Sequence, residues 1–534
     1  MALDVPAVAY VLPDGGPDPA GVLSLLAKRF PLVAERPDTR AYTVLDTADR
    51  RLRAAGLDLE LEADREDARL VLREVGGQRP LTADLSDPPR RRYLATDLPG
   101  GALRERLAPI VEVRALLPLA RLEVETQAVR VLNTDDKTVA RLRLTSRSAA
   151  RPGADDEEPR ALPPRVEVAG VLGYPKAHSR VAAALRGESG LTEASAGLAD
   201  EAIAALGGDP EGIRTRVRVD LRPRQPTDEA ALAVLRDLAD IAAANLPGTL
   251  GDLDTEFLHD LRVAVRRSRS VLRELKGAFP PEPLARQRDA LRQIQAVTGP
   301  TRDLDVLLLE WDDLVSGLSD ERRADLAPLR RLLVRHRATA FRTLQRELRG
   351  TAYRQAWDDY RAFLAGDREA GDDRPDAGRP IADVAGRRIR KVYRRMVATG
   401  EAIDDTSPAE HLHELRKRGK ELRYLLELFG GLWPPDVVKP MVRSLKGLQN
   451  VLGTHQDREV QAAYLGGLAD EVAGEGGGPA TLLALGALVE HLGSAQRGAR
   501  DTFAGRFAAF ASADRRALVA TVFLEAERVG REWH

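Results

Sequence analysis

The second half of this chain carries one pattern of residues twice, at a distance of 154 positions. Each copy is a histidine followed by basic residues three, seven and ten positions later. The members are His259, Arg262, Arg266 and Arg269 in the first copy, and His413, Arg416, Lys420 and Arg423 in the second. On a helix that advances about 100° per residue, such positions fall within about 80° of arc. Each copy therefore predicts a helix with a single basic stripe.

The same distance separates residues of other types, which indicates an internal duplication. These pairs are Gln295 and Gln449, Gly299 and Gly453, and Asp303 and Asp457. Helical periodicity begins near Thr227, and a glycine- and proline-rich stretch at 366–380 divides the helical region. We expect an all-α bundle over 228–534, made of two repeats at 228–365 and 381–534. Approximate two-fold symmetry would place the two stripes across one groove.

Residues 1–222 have a different pattern. Segments in which apolar and polar residues alternate, separated by turn-like clusters, predict mainly antiparallel strands. The clearest segments are LDLELEAD (57–64), ARLVLREV (68–75), RLEVETQAVRVL (121–132), TVARLRLTS (138–146) and RVEVAGVLG (165–173). The charged, proline-rich stretch 146–165 predicts a loop, and a helix is expected from Ala177. The predicted fold class is α+β multidomain, with an antiparallel β domain ahead of the helical bundle.

Composition limits the chemistry that the chain can perform. Its 534 residues include no cysteine, which excludes disulfides and thiolate metal sites and fits a reducing compartment. The net charge of −1 points to no particular partner. The first residues lack the basic and apolar segments of a signal peptide, and no run approaches the roughly 20 apolar residues of a membrane span. We expect a cytoplasmic protein that makes no contact with a membrane.

The two stripes predict binding of a polyanion. Guanidinium groups bind phosphate oxygens bidentately and stay charged at any accessible pH. The alternative is a solvated helix face that pairs with nearby acids such as Asp260 or Glu421. The same spacing in two helices of otherwise different sequence favours binding. A further helix at 386–396 adds three candidates on one face, Arg387, Lys391 and Arg394.

The histidines and glycines of the repeat have predicted roles of their own. His259 and His413 begin their helices, where a neutral imidazole can hydrogen-bond a phosphate or a carboxylate. Neither a catalytic role nor a metal site is expected of them. The glycine of each repeat predicts a turn between two helices, and the aspartate four residues later either caps the next helix or holds a stripe arginine.

These segments resemble the CHAD family of duplicated, histidine-containing helical domains. The resemblance covers about residues 228–534 and rests on LHDLRVAVRRSRSVL, GPTRDLDVL, LHELRKRGKELRYLLEL and LQNVLGTHQD. It implies binding of inorganic polyphosphate in a basic central groove, and association with polyphosphate granules and their other proteins. The residues that match the family's basic set are His259, Arg262, Arg266, Arg269, His413, Arg416, Lys420 and Arg423.

Residues 41–62, AYTVLDTADRRLRAAGLDLELE, are similar to the CYTH family, a β-tunnel that holds triphosphate. Active members carry two glutamates and a lysine on an N-terminal strand, for Mg²⁺ and triphosphate, whereas the matching segment AVAYVLP (7–13) has no charged residue. Glu60 and Glu62 stand where the family has paired arginines. The resemblance thus implies a degenerate tunnel without triphosphatase activity. The charged candidates that remain on its strands are Glu123, Glu125, Arg141, Arg143 and Glu167.

The sequence therefore predicts a protein that binds inorganic polyphosphate without chemistry and needs no cofactor. One alternative is a Mg²⁺-dependent triphosphatase in the β domain. A second is nucleic-acid binding through the same basic helices, which the aromatic share of 4% disfavours because single strands are usually held by stacking. A third is a scaffold that recruits granule proteins, for which the sequence offers no test.

Overall fold

The computed structural model describes residues 8–12, 18–63, 67–74, 79–154, 156–188, 191–194, 197–366, 373–404 and 406–523. The chain falls into two compact units, Met1–Arg214 and Thr215–His534. The first is built on a β-sheet and the second is helical, so the predicted α+β class is confirmed. Within the described ranges, none of the helices is long and apolar enough to cross a membrane.

The first unit contains one antiparallel sheet with ten strands among its described residues. The strands run in the order β10-β1-β9-β8-β7-β3-β4-β5-β6, and β2 also pairs with β7. Their bounds are β1 (Val8–Val11), β2 (Leu32–Ala34), β3 (Asp38–Thr47), β4 (Leu57–Ala63), β5 (Ala68–Glu74), β6 (Leu81–Leu85), β7 (Leu116–Leu132), β8 (Thr138–Ala150), β9 (Arg160–Gly170) and β10 (Thr192–Glu193). The antiparallel β domain expected from alternation is therefore present, and its sheet fits a tunnel-like fold.

Helices pack on both faces of this sheet. The helices are α1 (Pro19–Ala27), α2 (Arg51–Ala54), α3 (Ala102–Val111), α4 (Pro175–Glu188) and α5 (Leu198–Ala205). Side chains alternate between faces along a strand, and β7 shows the division. Its Val129 and Val131 join the core under α1 and α4, whereas Leu122 and Val124 join a separate core under α5. A short 3₁₀ turn, Ala95–Asp97, precedes α3.

The predicted loop at 146–165 is wrong for most of its length. Strand β8 continues to Ala150, and β9 begins at Arg160. Two of its charged side chains are not solvated, because Arg147 and Arg165 are buried and contact Glu201 of α5. A register shift between Thr145 and Arg147 lets the ladder continue past the two prolines of the partner strand.

The second unit is helical throughout its described residues, apart from connecting segments. Helix α6 begins at Thr227, where helical periodicity was predicted to start. The bounds are α6 (Thr227–Leu250), α7 (Thr255–Glu274), α8 (Pro281–Val297), α9 (Gly299–Leu309), α10 (Trp311–Val315), α11 (Asp320–Asp325), α12 (Ala327–Arg349), α13 (Thr351–Ala365), α14 (Ile381–Glu401), α15 (Ala409–Phe429), α16 (Pro435–Gly466), α17 (Ala469–Gly474), α18 (Pro479–Phe510) and α19 (Ala513–Val522). Short 3₁₀ turns follow α7 and α15, at Lys276–Ala278 and Gly430–Leu432.

One large core joins the two halves of this unit. It takes Leu261 and Val265 from α7 together with Leu415 and Leu422 from α15. The helical pattern stops at Ala365 and resumes at Ile381, as the polar stretch between them predicted. Residues 367–372 of that stretch lie outside the described part of the chain. Both stripe helices are thus anchored in the same apolar core.

The two repeats differ at their central glycine. In the first, α8 ends at Val297 and α9 begins at Gly299, close to the predicted turn. In the second, α16 runs unbroken through Gly453, so the turn predicted there is wrong. The next residue accounts for the difference: Pro300 lacks the N–H that a continuing helix needs and crowds the preceding turn, whereas Thr454 does neither. Neither repeat aspartate caps a helix, because Asp303 lies inside α9 and Asp457 lies inside α16.

Candidate functional site

Helix α7 displays the first stripe because its two sides are chemically different. Asp254 caps its start by accepting hydrogen bonds from the backbone of Glu256 and Phe257. Leu258 and Leu272 are buried along the core side. The basic side chains on the other side are half-buried except for the first, which is buried.

Helix α15 displays the second stripe in the same way. Leu412 and Leu422 are buried in the core that α7 also uses. The two stripe helices are held together directly, since Arg267 of α7 lies 2.7 Å from a carboxylate oxygen of Glu427 of α15. The sequence-based expectation that the stripes flank one groove is therefore consistent with their contact.

A pocket of about 460 Å³ lies between α7, α8 and α15. Basic side chains dominate its lining and come from all three helices. The lining consists of Arg266, Arg269, Ser270, Arg273, Ala285, Arg288, Asp289, Arg292, Lys417, Lys420, Glu421 and Tyr424. We call this pocket the basic groove. Seven of these side chains are basic and two are acidic, so the groove has an excess of positive charge.

Some of the cations in the basic groove are neutralised by acids of the protein. Arg273 lies 3.1 Å from Glu421. Arg292 pairs with Asp289 on its own helix at 3.2 Å. Lys417 is held more loosely by a neighbouring acid at 3.6 Å. These pairs account for both acidic side chains that line the groove.

Four other cations of the groove have no such partner. Within the described ranges, no ion pair or hydrogen bond to another residue engages their charged atoms. They are Arg266, Arg269, Arg288 and Lys420. Arg266, Arg269 and Lys420 are half-buried, and Arg288 is exposed. Like charges that share one cavity repel each other, and that repulsion is relieved when an anion enters. Both stripes contribute, two arginines from α7 and one lysine from α15.

The pKa shifts agree with a crowded positive field. Burial, together with the neighbouring charges of Arg416 and Arg266, lowers the pKa of Lys420 to about 8, against the opposing effect of Asp457. Burial also lowers the pKa of Arg269, and the surrounding arginines, first Arg273, act in the same direction. The charged forms of these side chains are therefore destabilised in the groove, and a bound anion would stabilise them.

The first arginine of each stripe turns toward the protein and does not line the groove. Arg262 is buried and donates hydrogen bonds to the carbonyl oxygen of Gln295, at 2.9 Å, and to the hydroxyl of Thr298, at 2.7 Å. Burial, together with the neighbouring charge of Arg266, lowers the pKa of Arg262 to about 10. Arg416 instead pairs with Asp457 at 2.9 Å.

Both repeat glycines, and the aspartate of the second repeat, contact these two arginines. A Cβ atom at Gly299 would lie 3.7 Å from Arg262, and one at Gly453 would lie 3.8 Å from Arg416. Each guanidinium thus rests against the backbone at a glycine. Of the two roles that sequence allowed the repeat aspartates, capping and holding an arginine, the structure gives Asp457 the second.

The last member of the second stripe is also held. Arg423 donates to the side-chain oxygen of Gln449, at 3.1 Å, and lies 3.3 Å from Glu427. Glu427 therefore receives arginines from both stripe helices. Of the eight stripe residues, the groove lining includes three, Arg266, Arg269 and Lys420.

The stripe histidines lie at the starts of their helices and contact polar side chains. The Nδ1 atom of His413 lies 2.5 Å from the side-chain oxygen of Gln456. His259 lies beside Glu256 and Asp260, and one potential ligand atom of each of the three falls within 4.8 Å of the others. Such a set could hold a cation, but Arg302 lies 3.6 Å from Glu256 and competes for its carboxylate.

Sequence reasoning missed this grouping, because it expected no metal ligands near His259. The Glu-x-x-His-Asp spacing on one helix face was the available signal. It also missed Arg288 and Arg292 of the groove. Their four-residue spacing on α8 gives a signal that is common in a chain this rich in arginine.

The third predicted set, on α14, is not brought to the basic groove. Arg387 and Arg394 line a different pocket, of about 570 Å³, between α14 and α19. Lys391 is exposed and lines neither pocket. The assignment of these three residues to a polyphosphate surface stays a prediction.

The charges of the β unit largely neutralise each other. Arg40 lies 3.0 Å from Glu60 and 2.9 Å from Glu62, and Glu60 also receives Arg73 at 3.1 Å. The described part of the 7–13 segment, residues 8–12, carries no charge, as its sequence requires. Glu60 and Glu62, which stand where the CYTH family has paired arginines, are thus neutralised by Arg40 and Arg73.

The remaining candidates of the β unit do not converge on a site. Arg143 pairs with Glu167 at 3.1 Å. Glu123 and Glu125 are exposed, on the face of β7 opposite to Leu122 and α5. Arg141 is half-buried. A pair of carboxylates placed to hold Mg²⁺ is not found among these residues.

The model of the CHAD domain matches residues 233–466. This part of the chain is a CHAD domain. The match includes both stripe helices and α8, and so covers every element of the basic groove. The basic groove thus lies within the CHAD domain.

Known proteins resemble part of the chain. Two uncharacterized proteins from two strains of Mycobacterium tuberculosis are 31% identical over 230 residues, which is 41% of this chain and 42% of theirs. The chain thus matches less than half of the length of these relatives. Two solved structures have TM-scores of 0.43. They are the CHAD domain from the plant Ricinus communis (22% identical, covering 57% of this chain and 96% of that chain) and PptA from Streptomyces chartreusis (20% identical, covering 53% and 99%).

Proposed function

We propose that the CHAD domain binds inorganic polyphosphate in the basic groove and performs no chemistry on it. The observation that carries this proposal is the set of four cations without an acidic partner among the described residues: Arg266, Arg269, Arg288 and Lys420. An anion with many charges and little bulk fits a cavity of about 460 Å³ whose lining is mainly guanidinium and ammonium groups.

The stripe residues would have different roles in binding polyphosphate. Arg266, Arg269 and Lys420 contact phosphate oxygens, and Arg288 faces them from α8. Arg262 and Arg416, which are already hydrogen-bonded, act mainly through their charge and by fixing the stripe geometry. Arg423, His259 and His413 lie on the stripe helices outside the groove lining, and they would meet a chain longer than the groove itself. Polyphosphate association would place the protein at polyphosphate granules in the cytoplasm, with other granule proteins as neighbours.

The alternatives are weaker on physical grounds. Single-stranded nucleic acid needs stacking surfaces, and Tyr424 is the aromatic residue among those that line the groove. A Mg²⁺-dependent triphosphatase needs convergent carboxylates, whereas the described acids of the β sheet are engaged by arginines or exposed. The β unit then has no catalytic part in this proposal.

Calorimetric titration of the full chain with polyphosphate of defined length tests the proposal. The double variant Arg266→Glu/Lys420→Glu should lower affinity at least about 100-fold, because it replaces two attractive charges by two repulsive ones. Arg331→Glu on α12 is the matched control, since Arg331 is exposed and does not line the groove. It should change affinity less than about three-fold, by long-range charge alone.

Salt and competition complete the test. Affinity should fall steeply with salt, because bound phosphates release counterions. RNA and DNA at equal phosphate concentration should bind more weakly than polyphosphate. If either nucleic acid binds as tightly, or if the groove variant binds polyphosphate like the parent chain, the proposed function is wrong.

A further inference from the structure

A second pocket of the helical unit lies between α14 and α19 and shares no lining residue with the basic groove. Its volume is about 570 Å³, within the range of small-molecule sites. Its lining is Arg387, Arg390, Tyr393, Arg394, Val397, Ala398, Glu401, Arg516, Val519 and Ala520. We call it the α14–α19 pocket.

The residues of α14 that line the pocket share one side of the helix and differ in burial. Arg387, Arg390 and Arg394 succeed each other at intervals of three and four residues, so they form one ridge. Val397 is buried, as is Val519 across the pocket on α19. The α14–α19 pocket is therefore apolar at its floor and strongly basic along its rim.

Two of the rim arginines are available to a ligand. The Nε atom of Arg390 is buried and has no hydrogen-bond partner among the described residues. Arg394 is exposed, and no ion pair or hydrogen bond engages it in the described ranges. The other two are engaged, Arg387 by Asp376 at 3.4 Å and Arg516 by Glu401 at 2.6 Å. A buried guanidinium nitrogen with no acceptor is costly unless an anion or water supplies one.

The contrast with the basic groove indicates the class of ligand. The groove is lined almost entirely by charges and suits a bare phosphate chain. Half of the α14–α19 lining is apolar or aromatic, and such surface gains nothing from inorganic phosphate. Guanidinium groups bind phosphate and also stack on flat rings. The suitable ligand joins a flat body, which buries against the floor, to a short phosphate chain, which reaches the rim.

We propose that the α14–α19 pocket binds an organic polyphosphate of the nucleoside triphosphate class, independently of the basic groove. The base packs on Val397, Ala398 and Val519, and the phosphates meet Arg390 and Arg394. This proposal does not depend on polyphosphate being the ligand of the groove. A protein with both sites would sense a soluble nucleotide while holding an anionic polymer.

Fluorescence anisotropy of ATP labelled on its ribose, with the full chain, tests the proposal. The labelled ATP should bind the parent chain with a dissociation constant below about 1 mM, which corresponds to a binding free energy of about −4 kcal/mol or more favourable. Saturating polyphosphate should leave this binding in place. Arg394→Glu should weaken it about ten-fold, and adding Arg390→Gln should weaken it further. Because Arg394 is exposed, the single variant remains informative even if the double variant unfolds.

A size variant separates the two halves of the pocket. Ala398 is exposed and lines the pocket next to the buried Val397, so Ala398→Trp fills the space of the base and replaces none of the rim arginines. It should weaken ATP at least five-fold and leave the affinity for inorganic triphosphate within two-fold. If ATP and triphosphate respond alike, the pocket does not recognise an organic body and the proposal is overturned.

The groove variant distinguishes this proposal from the previous one. Arg266→Glu/Lys420→Glu should lose polyphosphate and keep ATP within two-fold of the parent chain. If ATP is lost in that variant, or retained in Arg394→Glu, the nucleotide is bound in the groove and the α14–α19 site is refuted. If Arg394→Glu weakens polyphosphate as much as ATP, the pocket continues the polyphosphate surface and the proposed independence is refuted.

Discussion

Arg267 of α7 donates a hydrogen bond of 2.7 Å to a carboxylate oxygen of Glu427 of α15, and so ties the two stripe helices to each other. Glu427 also lies 3.3 Å from Arg423 of the second stripe. One acid thus neutralises two arginines behind the groove. The cations that face the groove have no comparable acid, so the protein neutralises the positive charge that supports the site and leaves uncompensated the charge that would meet a ligand.

Replacing this acid should weaken the fold more than the site. Glu427→Gln removes a partly buried carboxylate from two arginines, and the free energy of unfolding should fall by about 1–3 kcal/mol. Polyphosphate affinity should stay the same or rise, since the site becomes more positive. Urea denaturation and calorimetric titration measure the two effects. Glu414→Gln, which removes a more exposed acid of the same helix, should change stability by less than about 1 kcal/mol.

Polyphosphate binding should depend on pH through Lys420, whose pKa burial lowers to about 8. A bound phosphate chain favours the charged form, so the ligand raises this pKa and binding takes up a proton near pH 8. Between pH 7 and pH 9 the affinity should fall by up to about ten-fold. Lys420→Arg should remove most of this dependence, because guanidinium stays charged. Titrations in buffers of different ionisation enthalpy give the proton count, and a count of zero at pH 8 would contradict the prediction.

The stability of the unliganded protein should depend on pH in the opposite direction, because it should rise with pH where polyphosphate affinity falls. The pKa of Lys420 is lower in the folded state, from its ordinary value of 10.5 to about 8. The unfolded chain therefore binds more protons between these pH values, and the stability contributed by this site rises with pH across that window. Denaturation at several pH values should show this rise in the parent chain and less of it in Lys420→Met.

The stripes could be predicted from sequence because helical spacing alone places their residues on one face. Spacing could not tell which members turn inward. Arg262 satisfies the carbonyl end of α8, a relationship between helices that a single helix pattern does not contain. The contribution of α8 to the groove could not be predicted from sequence either, because Arg288 belongs to no repeated motif. In the β unit, proline and charge predicted a loop at 146–165, whereas Arg147 and Arg165 are buried by a helix that comes later in the chain.

The bridge made by Arg337 of α12 should be a strong stabiliser of the helical unit. Arg337 contacts Asp305, which is buried, at 2.8 Å, and also Asp252. Arg337→Met leaves the carboxylate of Asp305 buried without its cation and should lower the free energy of unfolding by about 3–5 kcal/mol. Adding Asp305→Asn removes that charge and should recover part of the loss. Urea denaturation of the three variants decides this, and equal stability of the single and double variants would show that the buried charge is not the cause.

Glu201 of α5 should have a comparable role in the β unit. It lies 2.9 Å from Arg147 and also contacts Arg165, and both arginines are buried. Burial lowers the pKa of Arg147, while Glu201 opposes that shift, so the carboxylate is what keeps two like charges tolerable in one place. Glu201→Gln should lower the free energy of unfolding by about 3–5 kcal/mol, because it leaves two buried guanidinium groups facing each other.

Coupling between the same residues identifies the cause of that loss. If repulsion between the arginines is responsible, the double variant Glu201→Gln/Arg165→Met should be more stable than Glu201→Gln alone, because it removes one of the two uncompensated charges. Arg143→Met, which removes an exposed arginine of the same sheet, is the control and should cost less than about 1 kcal/mol. A double variant that is less stable than Glu201→Gln would mean that Arg165 stabilises the sheet through the packing of its aliphatic stem. Repulsion between the two arginines would then not be the cause of the loss.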